Sequence, residues 1–231
     1  MYLFTDILLL GGSSRRFSKA FYSFSPSRQQ WTKLPDLPTG KSYHNPLVID
    51  NSLFIIGGCD YSTIQEYNIS TKTFQNVVTM NKSGRHFEVC VFNKTQVLFA
   101  GGLVDNYRTT NSCFLFDTNT KTFKDIGNMT TKRCGHALVN LDGAVYSIGG
   151  YSKGEILNTI ETFDLVTEQW KTSDVKLHIA RYYHRAVAHK NCIYIIGGMY
   201  DYKSTDTIEK FNLLTGQIEI LYVKRDGEMY F

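Results

Sequence analysis

The chain has 231 residues and a formal net charge of +4, since 25 Lys and Arg residues face 21 Asp and Glu residues. This length suits one large domain with a substantial core, and fifteen Tyr, fifteen Phe and only four Pro favour a folded, β-rich chain over a disordered one. The charge is small and scattered, and no segment is apolar enough to span a membrane. We therefore expect neither nucleic acid nor a membrane as a partner.

The five cysteines argue against a disulfide framework or a zinc site. They are odd in number and show no Cys-x-x-Cys spacing. A reducing compartment fits this usage, so we expect a cytoplasmic location, with a cytoskeletal or a nuclear one as the alternatives.

In chain order, the first regular feature is a Gly-Gly pair that recurs five times, at intervals of 46, 44, 48 and 48 residues. Each pair follows a run of four residues that is apolar except for Ser147, a pattern typical of a strand that is buried on both faces. The five runs with their glycines are residues 7–12, 53–58, 97–102, 145–150 and 193–198. Self-similarity at a fixed period indicates a repeat protein.

A basic residue precedes each of the last four pairs by sixteen positions, and in three repeats a histidine follows it by three positions. The basic residues are Lys41, Arg85, Arg133 and Arg181, and the histidines are His44, His136 and His184. Turn residues such as Asp142-Gly143 lie between the basic residue and the glycines, so this half of each repeat predicts a β-hairpin. The repetition of the histidine favours a role in packing or in hydrogen bonding within the blade.

After each Gly-Gly pair come two large residues that are seven positions apart. They are Phe24 and Trp31, Tyr67 and Phe74, Phe116 and Phe123, Phe163 and Trp170, and Phe211 and Ile218. In the last four repeats an Asn or Asp follows the first aromatic, three residues before a Thr, which favours a tight turn. Each repeat therefore predicts four strands: a after the basic residue, b ending at Gly-Gly, c with the first large residue and d with the second.

Four-stranded units at this period are typical of propeller blades, which bury their faces against one another. The Gly-Gly pair, the aromatic-to-Trp spacing and the Arg before strand a resemble the kelch repeat over essentially the whole chain. We predict an all-β kelch β-propeller that forms a single domain over residues 1–231. The predicted repeats are residues 1–40, 41–84, 85–132, 133–180 and 181–224.

The chain ends bear on the number of blades. The first repeat lacks strand a, and residues 225–231 have the length to supply it. We therefore predict five blades closed by the C-terminal strand, and a truncated six-bladed ring is the alternative.

The variable part of the repeat is the b–c loop, which together with the d–a loop predicts a binding face. Tyrosine and charged residues in these loops suit protein interfaces. The candidates from the b–c loops are Asp60, Tyr61, Tyr107, Arg108, Tyr151, Tyr200 and Tyr202. Those beside the basic residues are Tyr43, His86, Tyr182 and Tyr183.

The kelch resemblance implies that the basic residue before strand a helps to line the partner pocket. It adds Arg85, Arg133, Arg181 and Arg225 as partner-binding residues, with Lys41 as a weaker candidate. A ring of guanidinium groups suits an acidic peptide. The alternative is that these residues hold loop carbonyls and stabilise the fold.

The resemblance is closest to the propellers of BTB–kelch adaptors, which recognise substrates for cullin-based ubiquitin ligases. It implies a module that binds a partner protein or peptide, and reaches ligase machinery only through domains that this sequence does not contain. An actin-binding or scaffold propeller is an alternative, and a kelch-like copper radical oxidase or sugar isomerase is another. No pair of non-periodic histidines lies in the variable loops, and neither a nucleophile elbow nor a P-loop appears, so we expect no enzyme, no catalytic residue, no metal and no cofactor.

Overall fold

The computed structural model describes residues 6–12, 17–58, 63–80, 84–104 and 107–221. Within these ranges the regular structure consists of β-strands, without an α-helix, as predicted. The chain packs as two compact units, Met1–Arg85 and His86–Phe231. The single domain expected over the whole chain stays a prediction.

The first unit holds two antiparallel sheets. Its strands are β1 (Ile7–Leu10), β2 (Phe21–Ser25), β3 (Gln30–Lys33), β4 (His44–Ile49), β5 (Ser52–Gly57), β6 (Thr63–Asn68) and β7 (Thr73–Thr79). Strands β1-β2-β3 form one sheet, hereafter blade 1, and β4-β5-β6-β7 form blade 2. Blade 1 thus shows strands b, c and d, as predicted, whereas the closing strand expected within residues 225–231 lies outside the described residues.

The second unit contains three four-stranded antiparallel sheets and three short ribbons. Its strands are β8 (Glu88–Val91), β9 (Gln96–Ala100), β10 (Leu103–Val104), β11 (Arg108–Thr109), β12 (Cys113–Asp117), β13 (Thr122–Ile126), β14 (Ala137–Leu141), β15 (Ala144–Ile148), β16 (Tyr151–Ser152), β17 (Glu155–Ile156), β18 (Thr159–Asp164), β19 (Gln169–Lys176), β20 (Arg185–His189), β21 (Cys192–Ile196), β22 (Met199–Tyr200), β23 (Lys203–Ser204), β24 (Ile208–Asn212) and β25 (Gln217–Leu221).

The three sheets repeat the predicted order of strands a, b, c and d. Blade 3 is β8-β9-β12-β13, blade 4 is β14-β15-β18-β19, and blade 5 is β20-β21-β24-β25. Each b–c loop of this unit folds into a two-stranded ribbon: β10-β11, β16-β17 and β22-β23.

The Gly-Gly pairs bring adjacent blades into backbone contact. The amide of the second glycine donates to the carbonyl of the basic residue that begins the next blade: Gly102 to Arg133 and Gly150 to Arg181, both at 2.8 Å. A Cβ on Gly149, whose φ is +59°, would lie 2.7 Å from the Arg181 carbonyl oxygen. Glycine is therefore required both for the left-handed backbone and for the close approach.

The repeated histidines pack against these glycines. A Cβ on Gly101 or Gly149 would lie 2.9 Å from the ring of His136 or His184, and both rings are buried. Burial, and after it the charge of Arg133, holds the pKa of His136 well below its usual range, and burial lowers that of His184 to about 3. Both histidines are therefore neutral, and the predicted packing role is confirmed.

Large residues of strands c and d close the interface between blades. Phe163 and Trp170 of blade 4 lie in one buried cluster with Cys90, Leu98 and Leu115 of blade 3. In the first unit, Phe21 of blade 1 packs edge-on against Tyr67 of blade 2, with 4.9 Å between ring centroids. These contacts bury an apolar cluster between blades 3 and 4 and another between blades 1 and 2, as stacking of repeats requires.

The turns between strands c and d follow the predicted Asx pattern. The Asp164 carboxylate accepts hydrogen bonds from the amides of Val166 at 2.8 Å and Thr167 at 3.0 Å. The same pair of contacts occurs at Asn68, Asp117 and Asn212.

Candidate partner-binding site

The basic residues before strand a are internal parts of their blades. Arg133 and Arg181 have no exposed surface. The Arg133 guanidinium donates to the carbonyls of Gly149 at 2.8 Å and Thr159 at 3.2 Å and pairs with Glu161 at 2.5 Å. A side chain without exposed atoms cannot contact a partner in this conformation. The prediction that these two arginines line a binding surface is thus corrected, and the alternative, that they hold loop carbonyls, is confirmed for both.

The glutamate that completes this arrangement was not among the residues singled out in the sequence. Glu161 accepts hydrogen bonds from the amides of Thr130 at 2.6 Å and Thr131 at 2.9 Å in addition to its ion pair. A sequence signal for it exists, because Thr159-Ile160-Glu161 recurs as 207–209 and, with Gln for Glu, as 63–65. A charged residue at a repeated position beside buried apolar neighbours indicates a buried ionic partner.

Blade 5 and blade 2 repeat the same design. Arg181 pairs with Glu209 at 2.6 Å, and both side chains are fully buried. The buried Lys41 ammonium donates to the Gly57 carbonyl at 2.9 Å and to the Thr63 hydroxyl at 3.0 Å. The weaker candidate Lys41 is therefore also a structural residue.

Arg85 does not share the position of Arg133, although both stand sixteen residues before a Gly-Gly pair. Glu88 and Ala137 each pair with the residue directly before the glycines, so these two positions are equivalent. Counting back four residues from each gives Gly84 and Arg133. The constant interval thus conceals a shift of one residue, and Arg85 itself is half-buried.

The shift arises in the a–b hairpin of blade 3. Five residues separate the paired Val91 and Val97, whereas four separate the paired Asn140 and Val145 of blade 4. At the position of the buried glutamate, blade 3 carries Phe114, whose ring stacks on another phenylalanine at 4.6 Å. Blade 3 therefore has neither member of the ion pair at these positions.

Two residues after the position that the buried cation occupies in blades 2, 4 and 5, every blade from 2 to 5 has a residue with a left-handed backbone. These residues are Tyr43, His86, Gly135 and Tyr183, with φ between +54° and +57°. Glycine adopts this conformation freely, whereas a bulky side chain is strained in it. Tyr43 and Tyr183 keep this conformation although their side chains are 78% and 51% exposed.

In the second unit, four of the predicted residues form a continuous group of rings, hereafter the aromatic cluster. His86 lies 5.3 Å from Tyr183, Tyr183 lies 5.0 Å from Tyr182, and Tyr182 lies 5.9 Å from Tyr151, measured between ring centroids. Backbone hydrogen bonds hold the loops together, because the Tyr183 amide donates to Gly135 at 2.7 Å and the Gly135 amide donates to His86 at 3.2 Å. The structure thus brings together residues from three different blades.

Two residues after His86 and Tyr183, at the first positions of strands β8 and β20, an ion pair links blade 3 with blade 5. The Arg185 guanidinium lies 3.3 Å from the Glu88 carboxylate. Blade 4 carries Ala137, which has no charge, at the equivalent position. Neither charged residue was predicted as a site residue.

The remaining predicted tyrosines lie on the b–c ribbons. Tyr107, Tyr200 and Tyr202 are exposed, and Arg108 is exposed on β11. The amide of Met199 and the carbonyl of Tyr182 form a 2.8 Å hydrogen bond, so the ribbon that carries Tyr200 begins beside the aromatic cluster. Asp60, Tyr61 and Arg225 lie outside the described residues.

Residues 6–12, 17–58, 63–80, 84–104 and 107–221 contain no group of three or more His, Cys, Asp and Glu side chains that could hold a metal ion. No helix of sufficient length and apolar character to cross a membrane occurs in them.

Residues 61–226 match the family described as the KLHDC2/KLHL20/DRC7 Kelch-repeats domain, and residues 40–81 match the Kelch motif. The chain belongs to the kelch-repeat family. The predicted fold class, an all-β kelch propeller built from five blade repeats, is therefore confirmed.

Curated relatives with similar sequences are longer than this chain. A Kelch repeat and BTB domain-containing protein of Caenorhabditis elegans is 24% identical over 143 residues, 58% of this chain and 25% of the relative. An F-box/kelch-repeat protein of Arabidopsis thaliana is 27% identical over 158 residues, 64% of this chain and 37% of the relative. Human Kelch-like protein 23 is 23% identical over 157 residues, 64% of this chain and 27% of the relative.

Proposed function

We propose that this kelch chain is a protein-binding module and that a partner protein docks on the aromatic cluster of the second unit and on the adjoining b–c ribbons. Membership of the kelch family supports a protein-binding role. The cluster offers partly exposed tyrosine side chains on a backbone fixed by hydrogen bonds. Tyrosine supplies contact area and a directed hydroxyl group with little loss of conformational freedom on binding.

The observation that carries this proposal is the left-handed backbone of exposed Tyr183. A non-glycine residue in this region costs on the order of 1 kcal/mol or more. Blade 4 avoids the strain at the equivalent position with Gly135, whereas the other positions keep tyrosine or histidine. Strain retained in an exposed aromatic residue is characteristic of a functional surface.

The partner was first expected to be acidic because of the arginine ring. Because Arg133 and Arg181 are fully buried, they form no exposed ring of guanidinium groups that could bind an acidic peptide. The proposed partner is therefore not specified as acidic. The candidates kept are His86, Tyr151, Tyr182 and Tyr183, with Tyr107, Arg108, Tyr200 and Tyr202 as surrounding contacts.

The finer proposal is that the chain recognises substrates for a ubiquitin-ligase adaptor in the cytoplasm. It is supported by the words BTB and F-box in the names of the relatives from Caenorhabditis elegans and Arabidopsis thaliana. The chain spans only 25% and 37% of those proteins, so ligase recruitment is a property proposed for the parent protein. The proposal assigns binding and no catalysis.

The test is a quantitative pull-down from cell lysate with three proteins. One is the wild type, the second carries His86→Gly and Tyr183→Gly, and the third carries Leu214→Ala. The glycine substitutions copy the residue of blade 4 and keep the left-handed backbone, so the variant should fold. Leu214 is 77% exposed on a c–d turn and serves as the matched control.

We expect partners that the wild type and the Leu214 variant capture equally and the double glycine variant loses. Equal capture by all three proteins would place binding elsewhere. Cullin subunits among the captured proteins would support the adaptor role when the parent protein is used as bait, and their absence there would count against it.

A further inference from the structure

The carboxylate of Glu88, which is only partly buried, is held unlike the fully buried carboxylates of the second unit. Glu161 and Glu209 each accept two backbone amides and pair with a fully buried arginine at 2.5 and 2.6 Å. Glu88 instead makes long contacts of 3.3 and 3.4 Å with one guanidinium nitrogen of Arg185.

The two members of this pair differ in exposure. The side chain of Glu88 is 17% exposed and that of Arg185 is 72% exposed. Burial raises the pKa of Glu88 to about 7, even though Arg185 acts in the opposite direction. The loss of hydration therefore disfavours the ionised carboxylate by more than the attraction of Arg185 favours it. The carboxylate oxygens also retain capacity to accept further hydrogen bonds.

We propose that Glu88 binds a cationic side chain, Arg or Lys, of the partner, and that Arg185 occupies this carboxylate in the unbound protein. This inference rests on the proposed function, since it names the chemical group of the partner that the surface beside the aromatic cluster binds. On binding, the partner's cation replaces the guanidinium of Arg185, which moves to solvent.

A cation fits this site better than an anion for two reasons. The buried and poorly satisfied member of the pair is the carboxylate, and a charge-assisted hydrogen bond gains most where water is excluded. The rings of His86 and Tyr183 stand two residues before Glu88 and Arg185, and aromatic faces attract ammonium and guanidinium groups. Arg185, already exposed, gives up only long contacts when it is displaced.

The test uses three blocked tripeptides as probes: Ala-Arg-Ala, Ala-Glu-Ala and Ala-Ala-Ala, each acetylated and amidated. Each is titrated into isotope-labelled protein, and binding is followed by NMR through the side chains of His86 and Tyr183. The variants are Glu88→Ala and Arg185→Ala. Both copy Ala137 of blade 4, so the backbone accepts the substitution.

We expect the arginine peptide to bind the wild type in preference to the other two. Glu88→Ala should weaken this binding by about tenfold, because a buried charge interaction is removed. Arg185→Ala should tighten it severalfold, because the internal competitor is gone.

Preference for the glutamate peptide, lost on Arg185→Ala, would overturn the inference and assign anion recognition to Arg185. Equal response to all three peptides would overturn it as well. Capture of lysate partners that the double glycine variant loses and Glu88→Ala keeps would leave the proposed function standing and refute the cation site alone. Selective binding of the arginine peptide, with no loss of partners in the double glycine variant, would refute the proposed docking surface alone.

Discussion

Replacing Arg133 with methionine should destabilise the second unit strongly, because Arg133 holds blade 4 together from inside. Methionine keeps most of the length of the arginine side chain and removes its charge. The Glu161 carboxylate then remains fully buried without its ionic partner, although the amides of Thr130 and Thr131 still donate to it.

The magnitude follows from the burial of the pair. Both side chains are 0% exposed, and removing one member of such a pair costs about 3–5 kcal/mol in the free energy of unfolding. The double variant Arg133→Met with Glu161→Gln should recover part of this loss, since no buried charge remains. Blade 2 carries Gln65 at the equivalent position. We expect a coupling free energy of about 1–3 kcal/mol between the two substitutions.

The assay is unfolding in urea, followed by the fluorescence of Trp170. This indole is buried in blade 4, 5.2 Å from the ring of Phe163, and Trp31→Phe in every protein of the series removes the other tryptophan. Arg108→Met is the matched control, because Arg108 is exposed and its loss should change the free energy by no more than about 0.5 kcal/mol.

The reasoning is refuted if Arg133→Met unfolds at the same urea concentration as the Arg108 variant. It is also refuted if Arg133→Met keeps its stability while losing partners, since the guanidinium would then act in binding and not in folding.

Two further predictions concern the contacts between blades. Gly149→Ala should lower the free energy of unfolding by about 3 kcal/mol, because its Cβ would lie 2.7 Å from the Arg181 carbonyl oxygen at a φ of +59°. Gly154→Ala is the control: its φ is +94° and no atom lies within 4 Å of its Cβ, so it should cost only the backbone strain. Equal losses of stability for the two variants in urea unfolding would contradict this. The pKa of Glu88 is about 7 in the folded state and 4.5 for an unperturbed glutamate, and Arg185 is the charged group that lowers it. The folded protein therefore holds this proton more tightly than the unfolded chain does. The stability that this contributes below pH 4.5 is lost as the pH rises through 7. From pH 5 to pH 8 the unfolding free energy of Glu88→Ala should therefore rise relative to the wild type by roughly 2–3 kcal/mol, and a difference independent of pH would contradict the raised pKa.

Much of the architecture could be predicted because its causes are local and repeated. The apolar runs before the Gly-Gly pairs are strands β1, β5, β9, β15 and β21, and the Asx turns close strands c and d where expected. The paired strands around Gly149 also explain why glycine recurs there, since the backbone of the next blade leaves no room for a side chain.

The role of the basic residues could not be read from spacing alone. An arginine sixteen residues before Gly149 can turn outward to a partner or inward to the carbonyl of that glycine, and the interval is the same in both cases. The deciding residue was Glu161, whose strand position makes it a buried counter-ion. At Arg85 the same interval was misleading. The a–b hairpin of blade 3 has one extra residue after Val91, so the residue sixteen positions before the glycines lies one position further along the blade than Arg133 does in blade 4.

The four residues of the aromatic cluster were all candidates in the sequence, but the contacts between them were not predicted. His86 and Tyr183 lie almost a hundred residues apart in the chain, and the backbone of Gly135 links their two loops at a place where a Cβ would lie 2.9 Å from the Tyr183 ring. Glu88 and Arg185 escaped notice because single charged residues at the start of strand a carry no local pattern. Only the strand register shows that they occupy equivalent positions.

The most direct test of the proposed binding surface is site-specific photo-crosslinking in cells. A benzophenone amino acid is placed at Tyr183 in one protein and at Leu214 in another, and crosslinked partners are identified by mass spectrometry. We predict partner crosslinks from position 183 that are absent from position 214. Crosslinks from position 214 alone, or the same partners from both positions, would contradict docking on the aromatic cluster.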